Sequence, residues 1–457
     1  MIYILHNTYH IMKTIKHIQK TESNRKTIKN TNIHGKIIEK KEGWVVLQIY
    51  GDAFNRGFAH GYLLHKELKR MKDVLSFFIK NELEISFSKY MRIVKTKIQP
   101  VIKKRYVEFY EEIKGISKGA KTAGTNISVD IILAWNSYIT IYSYLKDGAP
   151  KKCSAFIATG NSTESGDIVM AHTTHTNFAD GQLANIILYV FPSSGFSFVM
   201  QTQPGLIASG MDWFLCSSGI IGCETTISDI KYKPRLEDPF FCRIRKCMQY
   251  GDSFDDYEKI MTTRNGGDYA CSWLLGNINT NEIMLFELGL LEKNITKTKN
   301  GAFYGMNVAL GRNIREKETA DKDLNNRETS SGNRNLRFNE LLFHDYQGKI
   351  NVENSKKIIS DHYDTSLQSF RRNSIGICKH DEFDGKHSEN HNFMCGSTDA
   401  KVVNTDMAKL LVFQGRFGSA CGRTFSIDEH LKKYPQYEEW RTVVEDIPLY
   451  NWMTIQP

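Results

Sequence analysis

The stretch that most constrains this chain begins at Cys153. The run Cys153-Ser154-Ala155-Phe156-Ile157-Ala158-Thr159 alternates small or polar residues with apolar ones, which is the period of a half-buried strand. A second run, Asp167-Ile168-Val169-Met170-Ala171-His172-Thr173-Thr174-His175, ends in two histidines and two threonines. Between them Gly160-Asn161-Ser162-Thr163-Glu164-Ser165-Gly166 is a string of turn formers. Strand, loop and strand in antiparallel order bring the end of the second run back beside the start of the first. Cys153 and His172 then become neighbours, the minimum arrangement for an activated thiol. A lone cysteine at a strand start also serves simply as a small buried apolar residue, and spacing by itself leaves both readings open.

At 457 residues the chain can bury a large core, as one large or two to three ordinary domains. Its 41% hydrophobic and 24% charged content is that of a globular protein, and no apolar run approaches the roughly 20 residues that span a bilayer. The net charge of +9 is concentrated in residues 1–41, with further Lys and Arg between 89 and 105. Such charge favours anionic partners. No aromatic–basic interleaving or nucleic-acid motif accompanies it, so nucleic acid is disfavoured and peripheral contact with an anionic membrane stays open. Met1-Ile2-Tyr3-Ile4-Leu5-His6-Asn7 lacks the basic start, the apolar length and the cleavage site of a secretory signal. Nine cysteines without a regular framework leave at least one free thiol. Both features point to a reducing compartment, cytoplasmic or virion-like. The sequons at Asn126, Asn161 and Asn294 are what chance gives in so Asn-rich a chain.

Residues 1–42 read as a mobile basic extension. Residues 43–152 read as a mostly helical segment that forms one structural unit with a core over 153–457. A strand is expected over 43–50 and helices over 62–82, 106–121 and 128–144, the last capped by Ser128. Beyond Cys153 strands dominate to about residue 227, including a hairpin across Pro192-Ser193-Ser194-Gly195. Helices over 240–250 and 254–262 precede strands over 271–278 and 282–288. Residues 313–337 read as an exposed loop leading to a helix around 339–344. The order of elements makes the chain α+β.

Several blocks carry a family resemblance. Cys153-Ser154-Ala155 followed by Ala171-His172-Thr173-Thr174 resembles the phospholipase B-like proteins. These are relatives of the aminopenicillanic acid acyltransferase-like family among the N-terminal-nucleophile (Ntn) hydrolases. Gln203-Pro204-Gly205-Leu206-Ile207-Ala208-Ser209-Gly210-Met211-Asp212, Gly222-Cys223-Glu224-Thr225-Thr226 and Ser397-Thr398-Asp399-Ala400-Lys401 resemble later blocks in the right order. Arg56-Gly57 with His60-Gly61 resembles a motif near the start of the acyltransferase precursor. The resemblance covers roughly residues 43–426.

It implies a four-layer αββα sandwich and a precursor that cuts itself between Lys152 and Cys153. Cys153 would be the nucleophile, and its freed α-amino group, with an ordinary pKa of about 8, the base. His172 would orient that amine or lower the thiol pKa, and Thr174, Asp212 and Glu224 would support the site or bind substrate. His175 replaces an aromatic residue of the family, so no role is expected for it. Where the family carries asparagines before a tryptophan this chain has Ala270 and Cys271, so Ser272 or a backbone N–H must stabilise the oxyanion. The implied substrates are small acylated molecules or lipids, cleaved at an amide or ester bond without a cofactor, as in lipid degradation. Acyl transfer to an amine is the alternative, and a binding protein that has lost turnover is a third reading. Cys378 and His380, with His387, His391 and Cys395, are potential zinc ligands, but their spacing matches no common pattern and no metal is expected.

Overall fold

Two large sheets carry the computed structural model, which describes residues 33–146, 148, 152–320, 323–384 and 391–457. The first has nine strands in the order Gly35–Lys41, Trp44–Gly51, Ile186–Pro192, Phe198–Thr202, Trp213–Cys216, Ile220–Thr226, Cys271–Asn277, Glu282–Leu288 and Lys293–Thr298. Only Trp44–Gly51 and Ile186–Pro192 pair in parallel; the other neighbours are antiparallel. The second sheet runs Gly301–Gly305, Lys152–Thr159, Val169–Asn177, Asp399–Asn404, Phe413–Phe417 and Met453–Ile455, with Cys395–Ser397 also on Val169–Asn177. The protein is therefore mixed α+β, and His34–Pro457 forms one compact unit.

Strand periodicity decides where each side chain goes. Ala155, Ile157 and Met170 of the second sheet join Val46, Tyr189, Trp213, Leu215 and Leu274 of the first in one buried cluster. The intervening residues Phe156, Ala158, Val169 and Ala171 turn the other way. They pack with Phe338, Leu341, Ile358 and Ile359, from the helices Ser330–Glu340 and Val352–Ile359 and the turn between them. Helix Ala53–Leu63 packs on strand Trp44–Gly51 and helix Phe240–Tyr250 on strand Trp213–Cys216.

Helix Ala53–Leu63 meets helix Val107–Thr122 backbone to backbone. A Cβ at Gly61 would stand 1.9 Å from the Ile116 carbonyl oxygen, and one at Gly119 2.0 Å from that of Phe58. Gly57 and Gly115 make the same close approach one turn away. An added methyl would force the helices apart, at about 1–3 kcal/mol. Beside this seam Arg56 pairs with Glu112 at 2.7 Å and Glu108 at 2.7 Å, and Arg245 pairs with Glu112 at 2.9 Å.

Three sequence expectations are corrected. Residues 1–32 of the expected extension lie outside the described residues, but Gly35–Lys41 is a strand paired with Trp44–Gly51. Its lysines and glutamate belong to a sheet edge, where charge prevents further pairing. The expected helix over 62–82 begins earlier, as Ala53–Leu63 and then His65–Asn81, because the Asp52 carboxylate caps Asn55 N–H at 2.9 Å. The loop expected over 313–337 contains helices Arg312–Lys317 and Ser330–Glu340. Thr329 caps the second by accepting from Gly332 N–H at 3.1 Å, and its polar residues are buried because they have partners. Among the described residues no helix is long and apolar enough to cross a membrane.

Candidate active site around Cys153

The hairpin register sets the site. Cys153 stands opposite Thr174, and Ala155 opposite His172. Cys153, His172 and Thr174 thus share the face that looks toward the nine-stranded sheet, while Ser154, Thr173 and His175 look away. Cys153 Sγ, a ring nitrogen of His172 and a carboxylate oxygen of Asp212 lie within 4.8 Å of one another. The Cys153 thiol donates to Asp212 Oδ2 at 3.9 Å.

Asp212 ends a loop pinned from the helical side. Gly205 N–H donates to His60 Nε2 at 2.9 Å, and Asn136 Oδ1 accepts from Ile207 N–H at 3.0 Å. The loop delivers Asp212 in the left-handed region, at φ 60°. Glu224 comes from strand Ile220–Thr226, and the Tyr269 hydroxyl donates to its Oε1 at 2.6 Å while lying 3.4 Å from Asp212 Oδ2. Lys401 Nζ binds Asp399 Oδ1 at 2.7 Å and Thr174 Oγ1 at 3.1 Å, and Asp399 Oδ1 also takes the Thr174 N–H at 3.0 Å.

The backbone of Cys153 is held as firmly as its side chain. Its N–H donates to Asn307 Oδ1 at 3.1 Å, and its carbonyl accepts from Arg334 Nη1 at 2.6 Å. Arg334 Nη1 also reaches Asn307 Oδ1 at 3.0 Å and Ser154 Oγ at 3.2 Å. Asn307 Nδ2 donates to the Thr226 carbonyl at 2.8 Å, which fixes the orientation of its amide.

Burial dominates the electrostatics. It pushes the Cys153 thiol well above its ordinary range, and Asp212 and Glu224 add to the shift. Among the charges, the carboxylates outweigh Lys401, which acts on the sulfur in the opposite sense. His172 is driven well below its ordinary value by burial and by Lys401, so it is neutral. Its Nε2–H donates to the Glu224 carbonyl at 3.0 Å, leaving on Nδ1 a lone pair with no hydrogen-bond partner among the described residues. Burial lowers Arg334 to about 10, which leaves it cationic at neutral pH.

Other expected residues are engaged elsewhere. Ser272 Oγ donates to Glu287 Oε1 at 3.2 Å, a carboxylate that also takes the N–H groups of Leu310 and Gly311. His175 Nε2 donates to the Ile377 carbonyl at 3.0 Å, on the face away from the thiol. Lys152 pairs with His175 in the strand ladder, and Lys151 lies outside the described residues. Of the potential zinc ligands, Cys378 and His380 come together with His362 and Cys421, not with His391 and Cys395. His387 lies outside the described residues.

Sequence reasoning missed Asn307, Arg334 and Tyr269. Asn307 had one signal: a polar residue between Met306 and Val308, just past the strand that pairs with the Cys153 strand. A mostly apolar cleft lined by Trp135, Tyr138, Leu206, Gly210, Phe240 and Phe241 opens nearby. The Phe240 ring packs on Tyr269 at a centroid distance of 4.3 Å, and Cys153 itself is fully buried.

No protein-family model matches the chain. An uncharacterized protein of Archaeoglobus fulgidus is 23% identical over 259 residues, 52% of this chain and 42% of the relative. The match thus spans less than half the length of that curated relative. Among solved structures, a mutant conjugated bile acid hydrolase from Clostridium perfringens aligns with a TM-score of 0.33 and 8% identity, over 58% of this chain and 89% of that one.

Proposed function

We propose that this chain is a self-processing cysteine hydrolase of the Ntn kind, cleaving amide or ester bonds of small acylated molecules or lipids. The observation that carries the reading is the hold on the backbone of Cys153, with its nitrogen on Asn307 Oδ1 and its carbonyl on Arg334. Any buried backbone N–H and C=O needs a partner, but here both partners are side chains brought in from elsewhere in the chain. A nucleophile whose own amine becomes the base needs an acceptor waiting at that nitrogen, and Asn307 is in position. The two sheets sharing a core, with helices on their other faces, are read as the four-layer αββα sandwich that such chemistry uses.

In the processing step the Cys153 sulfur attacks the carbonyl carbon of Lys152. The C–N bond between Lys152 and Cys153 breaks, the nitrogen takes up the proton that the thiol gave up, and the acyl group rests on sulfur. Water then hydrolyses this thioester, leaving a Lys152 carboxylate and a Cys153 with free thiol and amine. Asp212 Oδ2 and the bare His172 Nδ1 are the groups placed to carry the thiol proton in the uncut chain. After the cut the amine takes over as base for substrate, forming a thioester on Cys153 as the alcohol or amine leaves. Arg334 holds the Cys153 carbonyl in place throughout. The chain's basic charge suits an anionic membrane surface where acylated substrates concentrate. All nine cysteines are free thiols, in keeping with a reducing compartment.

Intact-mass measurement of the parent beside Cys153→Ala tests the reading. Two fragments meeting between Lys152 and Cys153 in the parent alone support it, and a single uncut chain in both overturns it. The complete burial of Cys153 favours a second reading, a non-catalytic relative whose thiol stays closed. That reading predicts an uncut chain and no acyl-thioester with any activated ester.

A further inference from the structure

A second cysteine–histidine cluster lies outside the Cys153 site. His380 Nδ1 is 2.8 Å from Glu382 Oε1, which also accepts from Arg423 Nη2 at 2.8 Å. In a neutral ring that contact puts the hydrogen on Nδ1 and leaves Nε2 with a lone pair. Three groups crowd this one nitrogen: His362 Nε2 at 3.2 Å, Cys378 Sγ at 3.3 Å and Cys421 Sγ at 3.5 Å. An imidazole nitrogen offers one lone pair or one hydrogen, so hydrogen bonding cannot satisfy three neighbours at once. A cation at their centre can.

The distances fit a particular cation. Zinc bonds of about 2.0–2.1 Å to nitrogen and about 2.3 Å to sulfur give tetrahedral edges of about 3.3 Å between nitrogens and about 3.6 Å between nitrogen and sulfur. The four ligand atoms lie within 4.8 Å of one another, and both cysteines are free thiols. Two thiolates neutralise a divalent ion, and a tetrahedral set of two sulfurs and two nitrogens selects zinc over the hard cations magnesium and calcium. Four protein ligands leave no open position, which marks a structural site, and Glu382 is the outer carboxylate that orients a ligating histidine.

We propose that His362, Cys378, His380 and Cys421 hold a structural zinc ion. The ion would tie three segments together. His362 follows helix Val352–Ile359, Cys421 follows strand Phe413–Phe417, and Cys378 adjoins Ile377, whose carbonyl receives His175. His362 also borders an open surface pocket with Phe370, Arg371, Arg372 and Phe383.

The test counts metal in the full-length protein after zinc is supplied and free ion is removed by desalting. About one zinc per chain is expected. Cys378→Ser and Cys421→Ser should each bring occupancy below a tenth of the parent's, while Cys153→Ala keeps it. A parent without zinc overturns the proposal, as does zinc that survives loss of both thiols or disappears with Cys153→Ala. Should the serine variants fail to fold, the parent loaded with cobalt(II) decides. Thiolate-to-cobalt charge transfer with tetrahedral d–d bands supports the site, and a thiolate-free octahedral spectrum overturns it. His362→Ala, on the partly exposed rim, should fold with a native circular dichroism spectrum and shift the cobalt bands; unchanged bands overturn the proposal.

Discussion

The strand Val169–Asn177 separates two centres built from the same residue types. On one face His172 and Thr174 look toward Cys153, Asp212 and Glu224. On the other His175 reaches Ile377, next to Cys378 of the His362–Cys378–His380–Cys421 cluster. The partners make the difference. Around the Cys153 sulfur, burial and the carboxylates of Asp212 and Glu224 raise the thiol, while Arg334 holds the backbone carbonyl, and the histidine gives its only hydrogen to a backbone carbonyl, so the thiol is kept protonated. Around His380 thiols and imidazole nitrogens converge on one point, and the carboxylate stands behind the ring. A buried sulfur facing anions stays a thiol; sulfurs and nitrogens facing each other have the arrangement that could hold a metal ion.

The largest expected effect divides the centres outright. Cys153→Ala abolishes the cut before residue 153, while Cys378→Ser leaves any folded protein able to cut; intact masses of the two variants check both. If Cys378→Ser stays uncut while folded, the centres are not independent. Next in size is removal of the metal. At free zinc 1,000-fold above its dissociation constant, binding stabilises the folded chain by about 4 kcal/mol. Chelation should therefore lower the melting temperature of the parent and of Cys153→Ala alike, and leave that of Cys378→Ser unmoved.

The two centres differ in how far the sequence exposes them. Cys153 and His172 were legible because a hairpin fixes its own register, and alternation along each strand then sorts residues by face. Ser128 was legible as a cap, and it accepts from Ile131 N–H at 3.3 Å. Gly57 and Gly61 stood out in the sequence only as part of a motif, and the helix they approach was not legible. Arg334 was hidden because charge and asparagine along 313–337 read as solvated surface; its burial depends on the Cys153 carbonyl and Asn307, groups distant in sequence. The His362 cluster was hidden for the same reason. Cys378 and His380 were noticed, but their real partners come from a helix end and from the turn after a strand, and only the folded sheet brings them together.

The lowered pKa of His60 makes about 3 kcal/mol of the fold's stability acid-sensitive. Burial holds His60 at about 4, and its Nε2 must stay unprotonated to accept the Gly205 N–H. The unfolded chain takes up this proton near pH 6.5. Between about pH 6.5 and 4 the unfolded state binds more protons, so this stability is fully present above that window and is lost as pH falls through it. His172, lowered in the same sense, extends the loss to lower pH. Acid also releases a metal, because its ligands must be deprotonated. Denaturant unfolding of the chelated protein reports the buried histidines in the upper part of this range, before the carboxylates of Glu108 and Glu112 begin to contribute in the same sense. A flat acid limb there would mean that His60 and His172 are protonated in the folded chain, and the contrast between the centres would lose its electrostatic basis.

The finest test replaces Glu382 with Gln. The amide oxygen can still accept from His380 Nδ1, so the ring keeps its orientation, but the negative charge that raises its basicity is gone. Arg423 loses its ionic partner at the same time. Zinc affinity should fall about 10–100-fold, measured by competition with a chromophoric chelator, while the cobalt spectrum keeps its tetrahedral thiolate bands. Processing at Cys153 should be untouched, since among the described residues Glu382 bonds His380, Arg423 and Asn392 and not the Cys153 centre. An unchanged affinity would mean that the carboxylate only packs against the imidazole. His380 would then resemble His172, a histidine placed by burial and by one hydrogen bond, and the two centres would differ less than their geometry implies.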